Sequence, residues 1–200
     1  WLFILLVILA IASVAVVGLV RSANILSEGR AAQSVAIELS KVAGQWNGLT
    51  ETNAARAQAI VISPDGSAEA AFKDAVAATT NQISELQKKL EALPLTDADK
   101  DQLKKIATLR AAMIETRTKL RQLKTDGKAD EAMAQMKNEY LPAMASYIGA
   151  QKELVAMQDK RVIDTQAQTE ARRQANSLGI LVGLAVIVAV IFFGTAWLVR

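Results

Sequence analysis

The chain has 200 residues, of which 52% are hydrophobic, 22% charged and 4% aromatic, with a net charge of +3. Few Gly and Pro, and many Ala, Leu, Lys, Glu and Gln, indicate long helices and exclude a β-rich domain. Without His or Cys, the chain excludes Ser-His and Cys-His catalysis, His-based metal sites and disulfides. Basic residues alternate with acidic ones, which argues against nucleic-acid binding. We therefore expect no enzyme, no cofactor, no metal and no nucleic-acid partner.

Uncharged apolar runs lie near both ends of the chain, from Trp1 to Val20 and from Leu178 to Val199. Each has about the 20 residues that an α-helix needs to cross a bilayer, and a helix satisfies its own backbone in lipid. The sequence predicts transmembrane helices over residues 1–20 and 177–199, with one domain over residues 21–176 between them.

The first run is longer than the roughly 7 to 15 residues of a signal-peptide core, so we interpret it as an uncleaved anchor. Two spans put both chain ends on the same side of the membrane, and Arg200 directly follows the second span. Trp197 and Trp1 are suited to anchor the spans at the interfaces. We expect the middle domain on the outer side of the membrane, a cytoplasmic part that starts at residue 200, and a chain that is a piece of a longer protein.

Three turns divide the middle domain into four helices. Their signals are Pro, which disfavours helix in the residue before it, and Gly, which supplies a left-handed position. The turn residues are Ser63, Pro64, Asp65 and Gly66, then Pro94 and Leu95, then Asp126 and Gly127. The helices should end near Ile62, cover residues 67–93 and 96–125, and continue from Lys128 into the second span. Thr96 and Asp99 indicate a capping box. Short loops join antiparallel neighbours, so we predict an all-α fold, an antiparallel up-down four-helix bundle continuous with two transmembrane helices.

Apolar residues recur every three or four positions on the predicted helices, which is typical of coiled-coil-like packing. Five polar residues interrupt this pattern: Asn53, Arg56, Thr79, Arg110 and Arg117. A rival pattern on the third helix moves both of its arginines to the edge of the core. That pattern runs through Ile106, Leu109, Met113, Thr116, Leu120 and Leu123. In either pattern the two arginines, seven positions apart, project from one helical face.

The interrupting residues lie at similar heights in the bundle. At about 1.5 Å per residue, they are roughly 13 to 25 Å from the turns at the membrane-distal end. Tyr140 and Tyr147 on the fourth helix can reach this region, and Pro142 can bend that helix between them. The sequence therefore predicts a polar pocket in the membrane-distal half.

No Asp or Glu occupies a core position at the level of the two arginines on the third helix. A guanidinium stays charged, its planar fork matches carboxylates, and burying it unpaired costs several kcal/mol. We therefore predict a site for a small organic di- or tricarboxylate. The candidate ligand-binding residues are Arg110, Arg117, Thr79, Thr80, Tyr147, Asn53 and Arg56.

The same residues also fit other roles. Polar residues at core positions can fix helix register or partner choice, and an arginine at the edge can extend its head into water. Asn53 and Arg56 are also suited to a subunit interface. A structural or protein-docking bundle without a small ligand stays open as an alternative.

The family resemblance rests on the order span, four helices and span, and on two local motifs. One is the stretch Asn53 to Arg56 late in the first helix, and the other is Gly127 to Ala132 leading to Tyr140, Leu141, Pro142 and Ala143. This arrangement resembles the four-helix-bundle sensor of bacterial methyl-accepting chemotaxis proteins. Histidine kinases and diguanylate cyclases carry similar sensors. The arginine pair on the third helix resembles that of receptors for citrate and malate, whereas aspartate receptors use first-helix arginines, to which only Arg56 corresponds.

The resemblance implies a homodimer in the bacterial inner membrane with a periplasmic sensor domain. Ligand binding would displace the fourth helix and the second span slightly. The displacement would act on a cytoplasmic kinase-control module, a HAMP linker and methylated coiled coil, beyond Arg200. The kinase and its adaptor would be partners only through that part.

Overall fold

The computed structural model describes residues 1–63 and 66–198, apart from the side chains of residues 2, 3, 197 and 198. Its elements are helices α1 (Leu2–Ile62), α2 (Ser67–Glu91), α3 (Asp97–Thr125) and α4 (Ala129–Gln135), a π-helical turn (Met136–Tyr140) and helix α5 (Leu141–Leu198). The described residues contain no strand. The all-α prediction is confirmed.

These elements form two compact units. The bundle unit is Val35–Arg161, and the terminal unit is Trp1–Ser34 with Val162–Arg200. The long helices α1 and α5 contribute to both units. The predicted boundaries at residues 20 and 177 stay predictions.

In the terminal unit, α1 packs against α5 through small residues. A Cβ atom at Gly18 would lie 2.5 Å from Ile180 Cδ1, and one at Gly29 would lie 2.5 Å from Thr169 Cγ2. Asn176 Nδ2 donates to the Gly18 carbonyl over 3.2 Å. Such close approach at glycine is a common way for helices to pack in lipid.

The terminal unit also contains the apolar runs. Helix α1 and the stretch Ala129–Ala196 are each long and apolar enough to cross a membrane. In the most apolar part of the first helix only 6% of the residues are buried inside the protein, and in that of the second stretch 0% are buried. A buried core helix of a soluble protein would show the opposite. Val199 and Arg200 of the predictions lie outside the described residues, as does the side chain of Trp197.

The bundle unit is built around an apolar core to which all of its long helices contribute. The core side chains include Leu39, Val42 and Trp46 of α1, Ile83 and Leu90 of α2, Ile106, Met113 and Leu120 of α3, and Tyr147 and Leu154 of α5. The predicted pattern that contains Arg110 and Arg117 and the rival pattern share Ile106, Met113 and Leu120, which are the buried hydrophobic residues of α3. The other residues of both patterns are half-buried, so neither pattern alone describes which face of α3 lies in the core.

Hydrogen bonds between helices fix their antiparallel register. Gln151 Nε2 of α5 donates to Thr50 Oγ1 of α1 over 3.1 Å, and Gln102 Nε2 of α3 donates to the Ala150 carbonyl over 2.7 Å. Between α2 and α3 such a link lies at one end, where Arg121 Nη2 donates to Glu69 Oε1 over 2.8 Å. Further along these two helices a groove opens.

The capping box at the start of α3 is present as predicted. Thr96 Oγ1 accepts from the Asp99 N–H over 3.2 Å, and Asp99 Oδ2 accepts from the Thr96 N–H over 2.8 Å. Gly66 and Gly127 have positive φ angles of 72° and 73°, as expected at turns that require a left-handed residue. Pro64 and Asp65 of the first predicted turn lie outside the described residues.

The fourth predicted helix is not one regular α-helix. A π-helical turn separates α4 from α5, and the Leu141 N–H donates to the Met136 carbonyl, five residues back. Pro142 follows directly. Its ring would press on the preceding turn of a regular helix and it has no N–H. A wider turn is one of the local adjustments by which helices accommodate such a residue.

Candidate functional site

A cavity of about 110 Å³ lies in the bundle unit between α1, α2, α3 and the start of α5. It brings together residues that are distant in sequence. Five of the seven predicted ligand-binding residues line it, namely Asn53, Thr80, Arg110, Arg117 and Tyr147. At about 1.5 Å per residue, Arg117 and Arg110 lie roughly 12 and 22 Å from the end of α3.

The two arginines of this cavity are half-buried and have no acidic partner in the described part of the chain. Neither guanidinium forms a hydrogen bond or ion pair with any described residue, and no carboxylate lines the cavity. Two acids of neighbouring positions are engaged elsewhere, whereas Glu91 lines an adjoining cavity together with Arg110. Glu115 pairs with Lys119 at 2.9 Å, and Glu69 pairs with Arg121 at 2.8 Å. The cavity therefore carries positive charge that the described protein does not neutralise.

Two tyrosines line the same cavity as the arginines, Tyr140 from the π-helical turn and Tyr147 from α5. Burial raises the pKa of the Tyr140 hydroxyl, and the charge of Arg117 acts against this rise. Burial likewise raises the pKa of Tyr147, where Arg110 has the opposing effect. Both phenols stay protonated at neutral pH and can donate a hydrogen bond.

Tyr140 is a cavity residue that is not among the seven predictions. Its side chain is 0% exposed, it lines the cavity, and its hydroxyl has no hydrogen-bond partner among the described residues. The sequence held a signal for Tyr140. It precedes Tyr147 by seven residues, and Arg110 and Arg117 have the same spacing on the antiparallel helix α3, so each tyrosine could be matched to one arginine. A buried hydroxyl without a partner is costly, which suits it to a ligand.

Asn53 and Thr80 form the polar wall between α1 and α2. Asn53 Nδ2 donates to Thr80 Oγ1 over 3.3 Å and approaches the Val76 carbonyl at 3.4 Å. Thr80 Oγ1 donates to the same carbonyl over 2.8 Å. These contacts hold two polar side chains at the cavity without using an arginine of α3.

Arg56 and Thr79 do not line the cavity. Arg56 Nη1 donates to Thr79 Oγ1 over 2.7 Å, to the Ala75 carbonyl over 3.3 Å and to Asn53 Oδ1 over 3.3 Å. In this arrangement they tie α1 to α2 and orient Asn53. Ligand binding by all seven residues stays a prediction.

Two larger cavities adjoin the first along the groove between α2 and α3. One of about 280 Å³ shares Thr80, Arg117 and Tyr140 with it and adds Lys73 and Arg121. The other, of about 260 Å³, shares Arg110 and adds Trp46. The site is therefore open toward the groove. Among the described residues no group of three or more His, Cys, Asp or Glu side chains is arranged to hold a metal.

Residues 1–172 match the model of the family described as four helix bundle sensory module for signal transduction. The chain belongs to this family. No curated protein matches the chain. A sensory module of this type is a non-catalytic domain of chemoreceptors. The two apolar helices of the chain indicate a membrane location.

Proposed function

We propose that this sensory module detects a small organic di- or tricarboxylate, such as citrate or malate, in the cavity between Arg110 and Arg117. Binding would act on α5, which runs from the cavity residue Tyr147 into the second apolar run, and through it on a cytoplasmic kinase-control module. Following the chemoreceptor resemblance, we propose a homodimer in the inner membrane with the bundle in the periplasm.

The observation that supports this proposal is the pair of unpartnered guanidiniums lining one cavity without a carboxylate. A guanidinium offers a planar fork of donors that matches a carboxylate. Two such contacts at about 1.5 to 3 kcal/mol each, with hydroxyl contacts at about 1 kcal/mol each, approach the roughly 8 kcal/mol of micromolar affinity. The chemistry of the cavity therefore suits a small anion with several carboxylates.

Signal transmission depends on α5. This helix runs unbroken over Leu141–Leu198, and we propose that a displacement at the cavity passes along it. Packed helices shift between discrete arrangements rather than deforming continuously. A ligand produces such a shift only if it binds one arrangement more tightly than the other.

The test is isothermal titration calorimetry of the chain in lipid nanodiscs against citrate, malate, succinate and aspartate. We expect micromolar binding of at least one organic acid, and a loss of about 10-fold or more in affinity in Arg110→Ala and in Arg117→Ala. Lys104→Ala is the matched control, because Lys104 is an exposed cation of α3 that pairs with Asp101 at 3.0 Å. It should bind as the unchanged chain does.

Absence of heat with every acid would contradict the proposal and favour a structural or protein-docking bundle. In that case Arg110→Ala and Arg117→Ala should change the oligomeric state, as measured by light scattering. Binding that survives both substitutions would place the ligand elsewhere. Attachment to a chemoreceptor, a histidine kinase or a diguanylate cyclase output module would be distinguished by sequencing the gene beyond the codon for residue 200.

A further inference from the structure

The groove beside Arg117 is lined by three cationic side chains, whereas the central cavity is lined by two. Lys73 and Arg121 line it together with Arg117, and its one carboxylate, Glu69, is paired with Arg121. Lys73 is exposed and forms no hydrogen bond or ion pair with any described residue. Two cations of the groove, Lys73 and Arg117, therefore have no acidic partner among the described residues.

The ion pair between Glu69 and Arg121 fixes which residues of α2 and α3 face each other. Because these helices are antiparallel, moving four residues forward from Glu69 and four back from Arg121 places Lys73 opposite Arg117. Moving eleven residues places Thr80 opposite Arg110. The cavities agree with this register, because Lys73 and Arg117 line the same one, and Thr80 and Arg110 line the other.

The seven-residue spacing between Lys73 and Thr80, and between Arg110 and Arg117, recurs between Tyr140 of the π-helical turn and Tyr147 of α5. Tyr140 lines the cavity of Lys73 and Arg117, and Tyr147 lines the cavity of Thr80 and Arg110. The upper level consists of Lys73, Arg117 and Tyr140, and the lower level consists of Thr80, Arg110 and Tyr147. Seven residues of helix separate the levels by about 10 Å.

The upper level contains a buried hydrogen-bond donor that has no acceptor among the described residues. Tyr140 is fully buried and its hydroxyl has no partner among the described residues. The Arg117 guanidinium and the Lys73 ammonium have no acidic partner in the same part of the chain. One O–H donor and two cationic groups line this cavity, and its described carboxylate, Glu69, is engaged by Arg121. An anionic oxygen satisfies all three.

We infer that Lys73, Arg117 and Tyr140 form a second anion subsite, so that the ligand is a linear dicarboxylate with one carboxylate at each level. The inference rests on the proposed function and narrows its ligand class. A salt-bridged carboxylate oxygen stands about 3 Å from its cation, which leaves about 4 to 7 Å of the roughly 10 Å between levels for the carbon chain. That is the extended length of a diacid of about four to six carbons.

The test compares acids of increasing length on the whole chain in nanodiscs by calorimetry. The series is malonate, succinate, glutarate and adipate, with butyrate as the acid that has a single carboxylate. We expect the four-to-six-carbon diacids to bind about 10-fold or more tighter than butyrate and malonate, because only they engage both levels. Equal affinity of butyrate and succinate would overturn the inference.

Lys73→Gln tests the new subsite directly. It should weaken diacid binding about 5-fold, since an exposed cation contributes modestly, and leave butyrate binding within about twofold. Lys73→Arg should restore diacid binding. Lys88→Gln is the matched control, because Lys88 is an exposed lysine of α2 that pairs with Glu85 at 2.9 Å, and it should change neither affinity.

The outcomes separate this inference from the proposed function. If no acid binds, the proposed function fails and the inference fails with it. If diacids bind and lose affinity in Arg110→Ala, but Lys73→Gln has no effect or weakens butyrate equally, the proposed function stands and the second subsite is wrong.

Discussion

At the start of α3 the carboxylate of Asp99 is 3% exposed and fully partnered. Its oxygens accept from the Thr96 N–H over 2.8 Å, from Gln158 Nε2 over 2.7 Å and from Arg161 Nη1 over 3.0 Å. Further along the same helix, Arg110 and Arg117 face a cavity and form no ion pair with any described residue. One helix thus holds a satisfied charge at its start and two unsatisfied charges beyond it.

The difference indicates which polar residues of the core are structural. A buried charge that the fold itself neutralises joins helices, and removing one partner exposes the others to a desolvation cost. A half-buried charge that the fold leaves open contributes little to the unliganded structure and is available to a ligand. Stability measurements on the unliganded protein therefore separate the two regions.

The largest expected effect is that of Asp99→Ala. It removes the acceptor of three hydrogen bonds and leaves Gln158 and Arg161 without it, so we expect a loss of about 3 kcal/mol in the free energy of unfolding. Urea denaturation of the bundle, followed by circular dichroism, measures it. Asp97→Ala is the matched control, because its carboxylate is 96% exposed and pairs only with Lys100, and it should cost less than about 0.5 kcal/mol. Equal losses would show that Asp99 is not the structural member of the comparison.

The contribution of Asp99 should depend on pH. Burial acts to raise its pKa, but the hydrogen bonds from Thr96 and Gln158 and the charge of Arg161 hold the pKa below its ordinary value of 3.8. Stability from this carboxylate is therefore fully present above that value and is lost as the pH falls through the lower pKa of the folded state. The difference in unfolding free energy between the unchanged chain and Asp99→Ala should be constant from pH 5 to 7 and shrink below about pH 4. A difference that grows toward low pH would contradict this assignment.

The arginines of the cavity should behave in the opposite way. Arg110→Met and Arg117→Met each keep an apolar stem and remove an unpaired charge, so the unliganded protein should be unchanged or up to about 1 kcal/mol more stable. The same urea titration measures this, and added ligand should no longer stabilise either variant. A loss of more than about 2 kcal/mol without ligand would assign these arginines to the structure instead.

Tyr140→Phe is the smallest change that distinguishes the two regions. Because the hydroxyl has no partner among the described residues, its removal should leave the unliganded stability unchanged or raise it by about 0.5 kcal/mol. Binding of a diacid should weaken by about 1 kcal/mol, roughly 5-fold. Calorimetry gives the affinity and urea denaturation gives the stability. If the affinity for the diacid does not change, Tyr140 is only a core residue.

Several features could be predicted from the sequence because they depend on local chemistry. The apolar runs, the glycines of positive φ and the Thr96 and Asp99 capping box each involve residues within a few positions of one another. The same local reasoning missed the π-helical turn, because the response of the backbone to Pro142 depends on how neighbouring helices hold Met136 and Tyr140 in the core.

The site was predictable in part. The pairing of Arg110 and Arg117 on one face follows from helical periodicity, and the structure places both at one cavity. Lys73 required knowledge of which residues face each other across helices, whereas the spacing of Tyr140 and Tyr147 already placed Tyr140 within reach of the site. Arg56 and Thr79 were selected for their polarity, whereas the structure shows them bound to each other on the α1–α2 side.

By itself, the sequence determined that this protein is helical, has two apolar segments suited to a membrane and places arginines without acids inside a bundle. The spacing of apolar, turn and charged residues along one chain carries that information. The tertiary structure decided which of the polar residues meet at the cavity and which satisfy one another. Rotation and register between helices are set by packing of the whole core, where a small change in either moves a side chain from a ligand cavity to a helix interface.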